Sequence, residues 1–198
     1  MPKIIAGPLA LLATTMRHGV TVPRQDEAIR LLCSYLDMWR TDAEAGAWWP
    51  EIITRIQWKS PGVVTGHPGR PSWCYGTPGI ARALQLAGLA LEDADRQRQA
   101  EQALTDCLGD EAQLRHLKDA SLCHGWTGLL RVSERIAADS TSGTLAALLP
   151  GLRARVTAHL DRHGPPADRG FLEGHDGVLL AQQDTPGATW DTCLLIGG

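Results

Sequence analysis

Long apolar runs are missing from this sequence of 198 residues, since no stretch reaches the roughly 18 apolar residues of a membrane-spanning helix. A charge excess is missing as well, because 19 Lys and Arg face 22 Asp and Glu. Without a basic arm or a long charge run, we expect no binding of nucleic acid or of an acidic membrane. The first residues lack the features of a secretion signal, so the expected location is the cytoplasm.

Cysteine is scarce and its spacing is irregular. The five cysteines are an odd number without short regular intervals, which argues against a disulfide framework and favours free thiols or metal ligation. With 43% hydrophobic residues, a chain of this length can bury a sizeable core. The composition therefore indicates one globular domain, or a piece of one, and nothing more specific.

Three Gly-x-x-Gly quartets recur at a fixed interval. They begin at Gly76, Gly125 and Gly174, so successive first glycines lie 49 residues apart. Repeats with a period of 20 to 50 residues are typical of stacked supersecondary units. The glycines are expected to permit positive φ angles and a close approach of helices at each turn.

Helical patterns dominate the rest of the chain. The predicted helices cover residues 5–18, 24–42, 77–91, 93–108, 126–138 and 144–162, and another apolar helix follows the third quartet. The helices that follow the quartets are apolar almost all round, whereas their partners are amphipathic, which indicates an inner and an outer layer. The sequence therefore predicts an all-α protein with the architecture of a double-layered α/α toroid or solenoid. Residues 43–72 are predicted to form a long irregular loop, packed and functional because of its tryptophans.

A candidate metal site precedes the first two quartets. If the inner helices begin at the same end of a ring, then Cys74, Cys123 and His124 converge there. Two sulfurs and one imidazole suit Zn²⁺ and leave a fourth tetrahedral position open, as in catalytic zinc sites. The pattern alone leaves open that these cysteines are inert core residues.

The surrounding motifs are similar to those of the lanthionine synthetase C-like (LanC) cyclases. Residues 70–79 read Arg-Pro-Ser-Trp-Cys-Tyr-Gly-Thr-Pro-Gly, residues 121–125 read Ser-Leu-Cys-His-Gly, and residues 170–177 read Gly-Phe-Leu-Glu-Gly-His-Asp-Gly. The resemblance extends from Ile5 to the tail at Trp190. It implies an α/α toroid, of which this chain, residues 1–198, would be an N-terminally truncated part of the seven-pair family fold. It also implies one zinc ion held by Cys74, Cys123 and His124.

The resemblance implies a reaction too. LanC cyclases add the thiolate of a peptide cysteine to dehydroalanine or dehydrobutyrine, which closes the thioether rings of lantibiotic-type peptides. The implied partners are a dehydrated precursor peptide and a complex with a dehydratase and a transporter, which would hold the protein at the membrane periphery. Tyr75 and Arg70 stand at family positions near the metal, where they are expected to orient groups or stabilise charge, while Trp73 is expected to pack.

The first residues depart from the family pattern. Lys3 occupies the place of the histidine that serves as acid or base, Ile4 replaces a glycine, and the helix pairs with a further catalytic aspartate have no counterpart. We expect a start assigned too late in a longer gene or, as second choice, a truncated or decayed paralogue. The sequence leaves both an active and an inactive form open. Apolar inner helices without neighbours are expected to cause self-association or poor solubility.

Two alternatives remain at this point. A zinc protein without turnover would bind a thiol, such as glutathione, or a modified peptide. An unrelated carbohydrate-active toroid would need paired carboxylates, and Glu173 alone is suitably placed. Among the remaining histidines, His67 and His175 are minor site candidates, and the others are expected near helix ends, where an imidazolium complements the helix dipole: His18, His116, His159 and His163. Of the remaining cysteines, Cys33 is expected in the core, and Cys107 and Cys193 are expected to bind no metal.

Overall fold

The computed structural model describes residues 2–59, 66–183 and 189–197, with side chains described from Ile5 onward. The side chain of Lys3 and residues 60–65 of the predicted loop lie outside the described residues. The helices are α1 Pro2–Arg17, α2 Gln25–Met38, α3 Arg55–Lys59, α4 Thr77–Ala90, α5 Ala94–Gly109, α6 Glu111–Leu114, α7 Trp126–Asp139, α8 Gly143–His163 and α9 His175–Gln182. Strands β1 Thr41–Ala43 and β2 Gly46–Trp48 form an antiparallel hairpin.

The helices form the two layers that the sequence predicts. Helix α4 packs between α1 and α7, and α7 also contacts α9, so the quartet-led helices are neighbours. Helices α5 and α8 cover α4 and α7 from outside. Burial of most of α4, including its polar Arg82 and Gln85, confirms that an all-round apolar helix lies in the inner layer.

Local signals set the helix ends. The Asp93 carboxylate accepts a hydrogen bond from the Arg96 amide at 3.0 Å, and the Ser142 hydroxyl caps α8 in the same way. Gly164 follows α8 with a φ of 72°, a backbone conformation that glycine adopts without a steric penalty. Because these signals are local, the predicted bounds of the later helices agree with the structure to within about two residues.

Close approach alone explains the quartet glycines. The first glycines have φ between −96° and −107°, and none of the six has a positive φ, so that part of the prediction is wrong. A Cβ atom on the second glycine, Gly79, Gly128 or Gly177, would lie within 2 Å of a main-chain carbonyl oxygen of the preceding turn. Each helix start is thus pressed against the turn before it.

The segment 43–72 contains more order than expected. The predicted second helix ends at Met38 rather than at residue 42, and the β1–β2 hairpin and α3 follow. The Trp49 indole donates a hydrogen bond to the Leu36 carbonyl at 2.9 Å and is buried. Trp58 stacks on the buried Trp39 with ring centroids 6.4 Å apart. Two tryptophans of the segment, Trp49 and Trp58, therefore pack at the C-terminal end of α2.

The C-terminal residues dock onto the inner helices through buried charge. The Asp191 carboxylate, which is fully buried, accepts hydrogen bonds of 2.7 Å from Arg131 and Arg135. Burial opposes ionisation, but the two guanidinium groups outweigh it and hold the pKa of Asp191 below its ordinary value. The Arg82 guanidinium, 1% exposed, donates to the Ile196 carbonyl at 2.8 Å.

In the described part of the chain, no helix combines the length and apolarity of a membrane span.

Candidate metal centre

A short main-chain ladder aligns the three turns that precede the quartets. The Cys74 amide donates to the Cys123 carbonyl at 3.3 Å, and the Cys123 amide donates to the Leu172 carbonyl at 2.8 Å. Each of these residues stands two positions before the first glycine of its quartet. The sequence repeat is therefore a spatial repeat, and residues equivalent in sequence become neighbours.

This ladder brings together the three predicted metal ligands. One ligand atom each from Cys74, Cys123 and His124 can be chosen so that all lie within 4.8 Å of one another, and all three residues are half-buried. A zinc ion with Zn–S bonds of about 2.3 Å would need tetrahedral ligand atoms about 3.8 Å apart. The present spacing fits such an ion after a small contraction, and the donor set suits a soft divalent metal.

The two thiols differ in acidity because they share a hydrogen bond. The Cys123 thiol donates to the Cys74 sulfur, and this is the main reason why the pKa of Cys74 falls to about 7. Burial opposes that shift, and the Ser72 hydroxyl adds to it from 3.8 Å. The same shared proton, together with burial, raises the pKa of Cys123. Metal ligation requires a deprotonated sulfur, so the lowered pKa of Cys74 favours the binding of a cation here.

Two carboxylates flank the imidazole of His124. The Asp119 Oδ2 atom lies 3.4 Å from His124 Nε2, and the Glu173 Oε1 atom lies 4.0 Å from Nδ1. The Glu173 side chain is 73% exposed and marks the open side of the cluster. Sequence reasoning missed Asp119. The repeat could have identified it, because Asp119 stands six residues before Gly125, as the predicted site residue Arg70 stands six residues before Gly76.

The two predicted supporting residues lie beside the cluster. Arg70 is half-buried, and its positive charge lowers the pKa of Cys74 and Cys123 as a minor contribution. Tyr75 is 37% exposed and its amide donates to the Ser72 hydroxyl at 3.2 Å. Trp73 packs as predicted, with its indole donating to the Leu194 carbonyl at 3.1 Å.

An open cavity adjoins Arg70. It has a volume of about 540 Å³ and is lined by Trp48, Glu51, Arg70, His67 and His116, among others. The two imidazole rings are nearly parallel, with centroids 6.5 Å apart. His67 therefore faces a cavity next to the candidate site.

The other candidate residues lie apart from the three ligands. His175 begins α9 and is half-buried, with its amide bonded to the Asp168 carbonyl. Cys33 is 1% exposed within the core, as predicted. Cys107 is buried and donates to Gln113 Oε1 at 2.6 Å, and Cys193 is exposed. Neither of these last two belongs to a metal-ligating group among the described residues.

Comparison with known proteins gives consistent results. The family model described as "Lanthionine synthetase C-like protein" matches residues 5–183. A curated relative, the nisin biosynthesis protein NisC of Lactococcus lactis subsp. lactis, is 29% identical over 113 residues, which are 56% of this chain and 26% of that protein. A solved structure of a nisin cyclase superposes with a TM-score of 0.82 and 21% identity over 97% of this chain. This chain spans 48% of that structure, whose fold it shares.

Proposed function

Because this chain belongs to the lanthionine synthetase C-like family, we propose that Cys74, Cys123 and His124 hold one zinc ion. We further propose that the site forms lanthionine or methyllanthionine rings in dehydrated precursor peptides. The observation that carries the proposal is the convergence of the three ligand atoms from two turns 49 residues apart. Zinc in such a site supplies a Lewis acid that lowers the pKa of a peptide thiol at the open fourth position.

The residues around the cluster suit the addition step. The peptide thiol releases its proton to solvent, and the sulfur forms a bond to the β-carbon of the dehydroamino acid. The electrons of the Cα–Cβ double bond move onto the carbonyl oxygen as negative charge until the α-carbon takes a proton from solvent. Arg70, whose charge acts on both thiols, is positioned to stabilise that negative charge. Tyr75 lies at the exposed rim, where its phenol can orient the peptide. The cavity beside Arg70 has room for a peptide segment.

Ring closure by this chain is tested with zinc-loaded protein and a dehydrated precursor peptide. Addition is an isomerisation that leaves the peptide mass unchanged, so the readout is the number of thiols that a maleimide can alkylate, counted by mass spectrometry. We expect that number to fall with time, and Cys193→Ala to behave like wild type because Cys193 is not a proposed ligand. Stoichiometric zinc without loss of alkylatable thiols would contradict the enzyme proposal.

That outcome would favour the second candidate, a zinc protein that binds a thiol or a modified peptide without turnover. The observation behind it is Lys3, which stands where the resemblance places the acid or base histidine. A direct test is isothermal titration of the zinc-loaded protein with glutathione. Association with a dehydratase and a transporter, at the membrane periphery in the cytoplasm, belongs to the first proposal.

Self-association through apolar helix faces remains a proposal as well. Leu11 on α1 is 49% exposed and Leu179 on α9 is 42% exposed, so both outer members of the inner layer present apolar side chains. We expect dimers or larger species when the purified protein is examined by multi-angle light scattering. A monodisperse monomer at micromolar concentrations would contradict this.

A further inference from the structure

We propose that Asp119 is a positioning residue, which fixes the ring of His124 so that Nδ1 is the nitrogen presented to the metal. The inference rests on the proposed zinc site and adds a residue that neither the motifs nor the comparisons assign. Its basis is the contact of 3.4 Å between Asp119 Oδ2 and His124 Nε2.

The turn itself holds the Asp119 carboxylate in place. The Oδ1 atom accepts the Ser121 amide at 2.8 Å, and the Asp119 carbonyl accepts the Trp126 amide at 3.0 Å. These two bonds fix the backbone and one carboxylate oxygen. The second oxygen, Oδ2, faces the imidazole. The turn therefore holds the Asp119 carboxylate independently of its contact with His124.

The contact has a chemical consequence for the ring. A histidine that ligates a metal through one nitrogen donates the proton on the other nitrogen, and a carboxylate acceptor fixes that tautomer. With Nε2 turned toward Asp119, Nδ1 remains for the metal. Glu173 stands on the Nδ1 side at 4.0 Å with its side chain 73% exposed. It lies on the open side of the site and is not held by the turn in the same way.

The repeat separates this role from a role in folding the turn. Position six before the first glycine is Asp119 in the second repeat and Asp168 in the third. The Asp168 carbonyl accepts the His175 amide at 2.9 Å, as the Asp119 carbonyl accepts the Trp126 amide. Both aspartates therefore take part in the same turn. In the third repeat Glu173 replaces the histidine, so the carboxylate there has no imidazole to orient.

The test compares Asp119→Asn with the matched control Asp168→Asn. Asparagine keeps an oxygen for the turn but removes the negative charge that faces the imidazole. We expect the zinc dissociation constant, measured by competition with a chromophoric chelator, to rise about 10- to 100-fold for Asp119→Asn. The zinc dissociation constant of Asp168→Asn should stay within about threefold of wild type. Asp168 lies in the same kind of turn, but the residue that follows at the position of His124 is Glu173, which is not a proposed ligand.

A spectroscopic readout and a conservative variant complete the test. With Co²⁺ in place of zinc, Asp119→Asn should shift the ligand-field bands while the thiolate charge-transfer bands persist, since both sulfurs remain. Asp119→Glu, which keeps a carboxylate, should recover part of the affinity even if Asp119→Asn folds poorly.

Three outcomes would overturn the inference. Unchanged zinc affinity in Asp119→Asn, with stoichiometric zinc in wild type, would overturn the positioning role and leave the metal site standing. Equal losses in the Asp119 and Asp168 variants would assign the effect to turn folding. Absence of zinc binding in wild type would overturn the proposed site itself, together with this inference.

Discussion

Cys123→Ala is expected to reduce bound zinc from about one ion per chain to less than about a tenth. The variant removes one of the three proposed ligands and also the thiol that lowers the pKa of Cys74. We expect the two remaining proposed ligands, Cys74 and His124, to lose zinc on dilution and dialysis, since zinc affinity depends on ligand number and on deprotonated sulfur. The measurement is elemental analysis of dialysed protein, with a colorimetric zinc assay after thiol modification.

The control for this experiment is Cys193→Ala. Cys193 is exposed, and its thiol donates a hydrogen bond to the Trp190 carbonyl at 3.1 Å. The control removes a cysteine without touching the proposed site, so it separates loss of a ligand from a general loss of thiols. Zinc retained at wild-type stoichiometry in Cys123→Ala would refute Cys123 as a ligand.

Gly128→Ala is expected to lower the free energy of unfolding by about 3 kcal/mol, as severe overpacking does. The added Cβ atom would lie 1.9 Å from the Leu122 carbonyl oxygen and 2.7 Å from its carbon. Because both the obstacle and the glycine are main chain, no side-chain rotation relieves the clash. The helix start and the turn must move apart, as a urea titration followed by circular dichroism would show.

Gly151→Ala is the matched control, since Gly151 is also a helical glycine but lies exposed in α8. A Cβ atom there meets nothing within 4 Å. Alanine in a helix interior is favoured over glycine, so this variant should gain up to about 1 kcal/mol. A neutral or stabilising Gly128→Ala would show that the turn and the helix are not pressed together.

The Gly128 variant should also weaken zinc binding. Leu122 directly precedes Cys123, so displacement of the Leu122 carbonyl moves a proposed ligand. The same chelator competition applies, with the Gly151 variant at wild-type affinity as reference. Fold and site are coupled at this place because one turn carries both.

Much of the helical framework could be predicted because its signals are local. The bounds predicted from the apolar pattern after each quartet agree closely with the structure, in which Asp93 caps α5 and Gly164 follows the end of α8. The order within the segment 43–72 had no such local signal. The hairpin β1–β2 pairs only three residues a side, and its tryptophans gain their order by packing on α2. The periodic pattern of the sequence does not predict such tertiary contacts.

By itself, the sequence determined the layered helical repeat and the three candidate ligands, because periodic apolarity and equivalent spacing are properties of the chain alone. Only the tertiary structure decided why the quartets are glycine, since the carbonyl that excludes a Cβ atom belongs to the preceding turn. It also decided that Asp119 faces His124 and that ligand atoms of Cys74, Cys123 and His124 lie within 4.8 Å of one another. Those relations depend on distances of a few ångströms between groups, which packing sets and residue order leaves free.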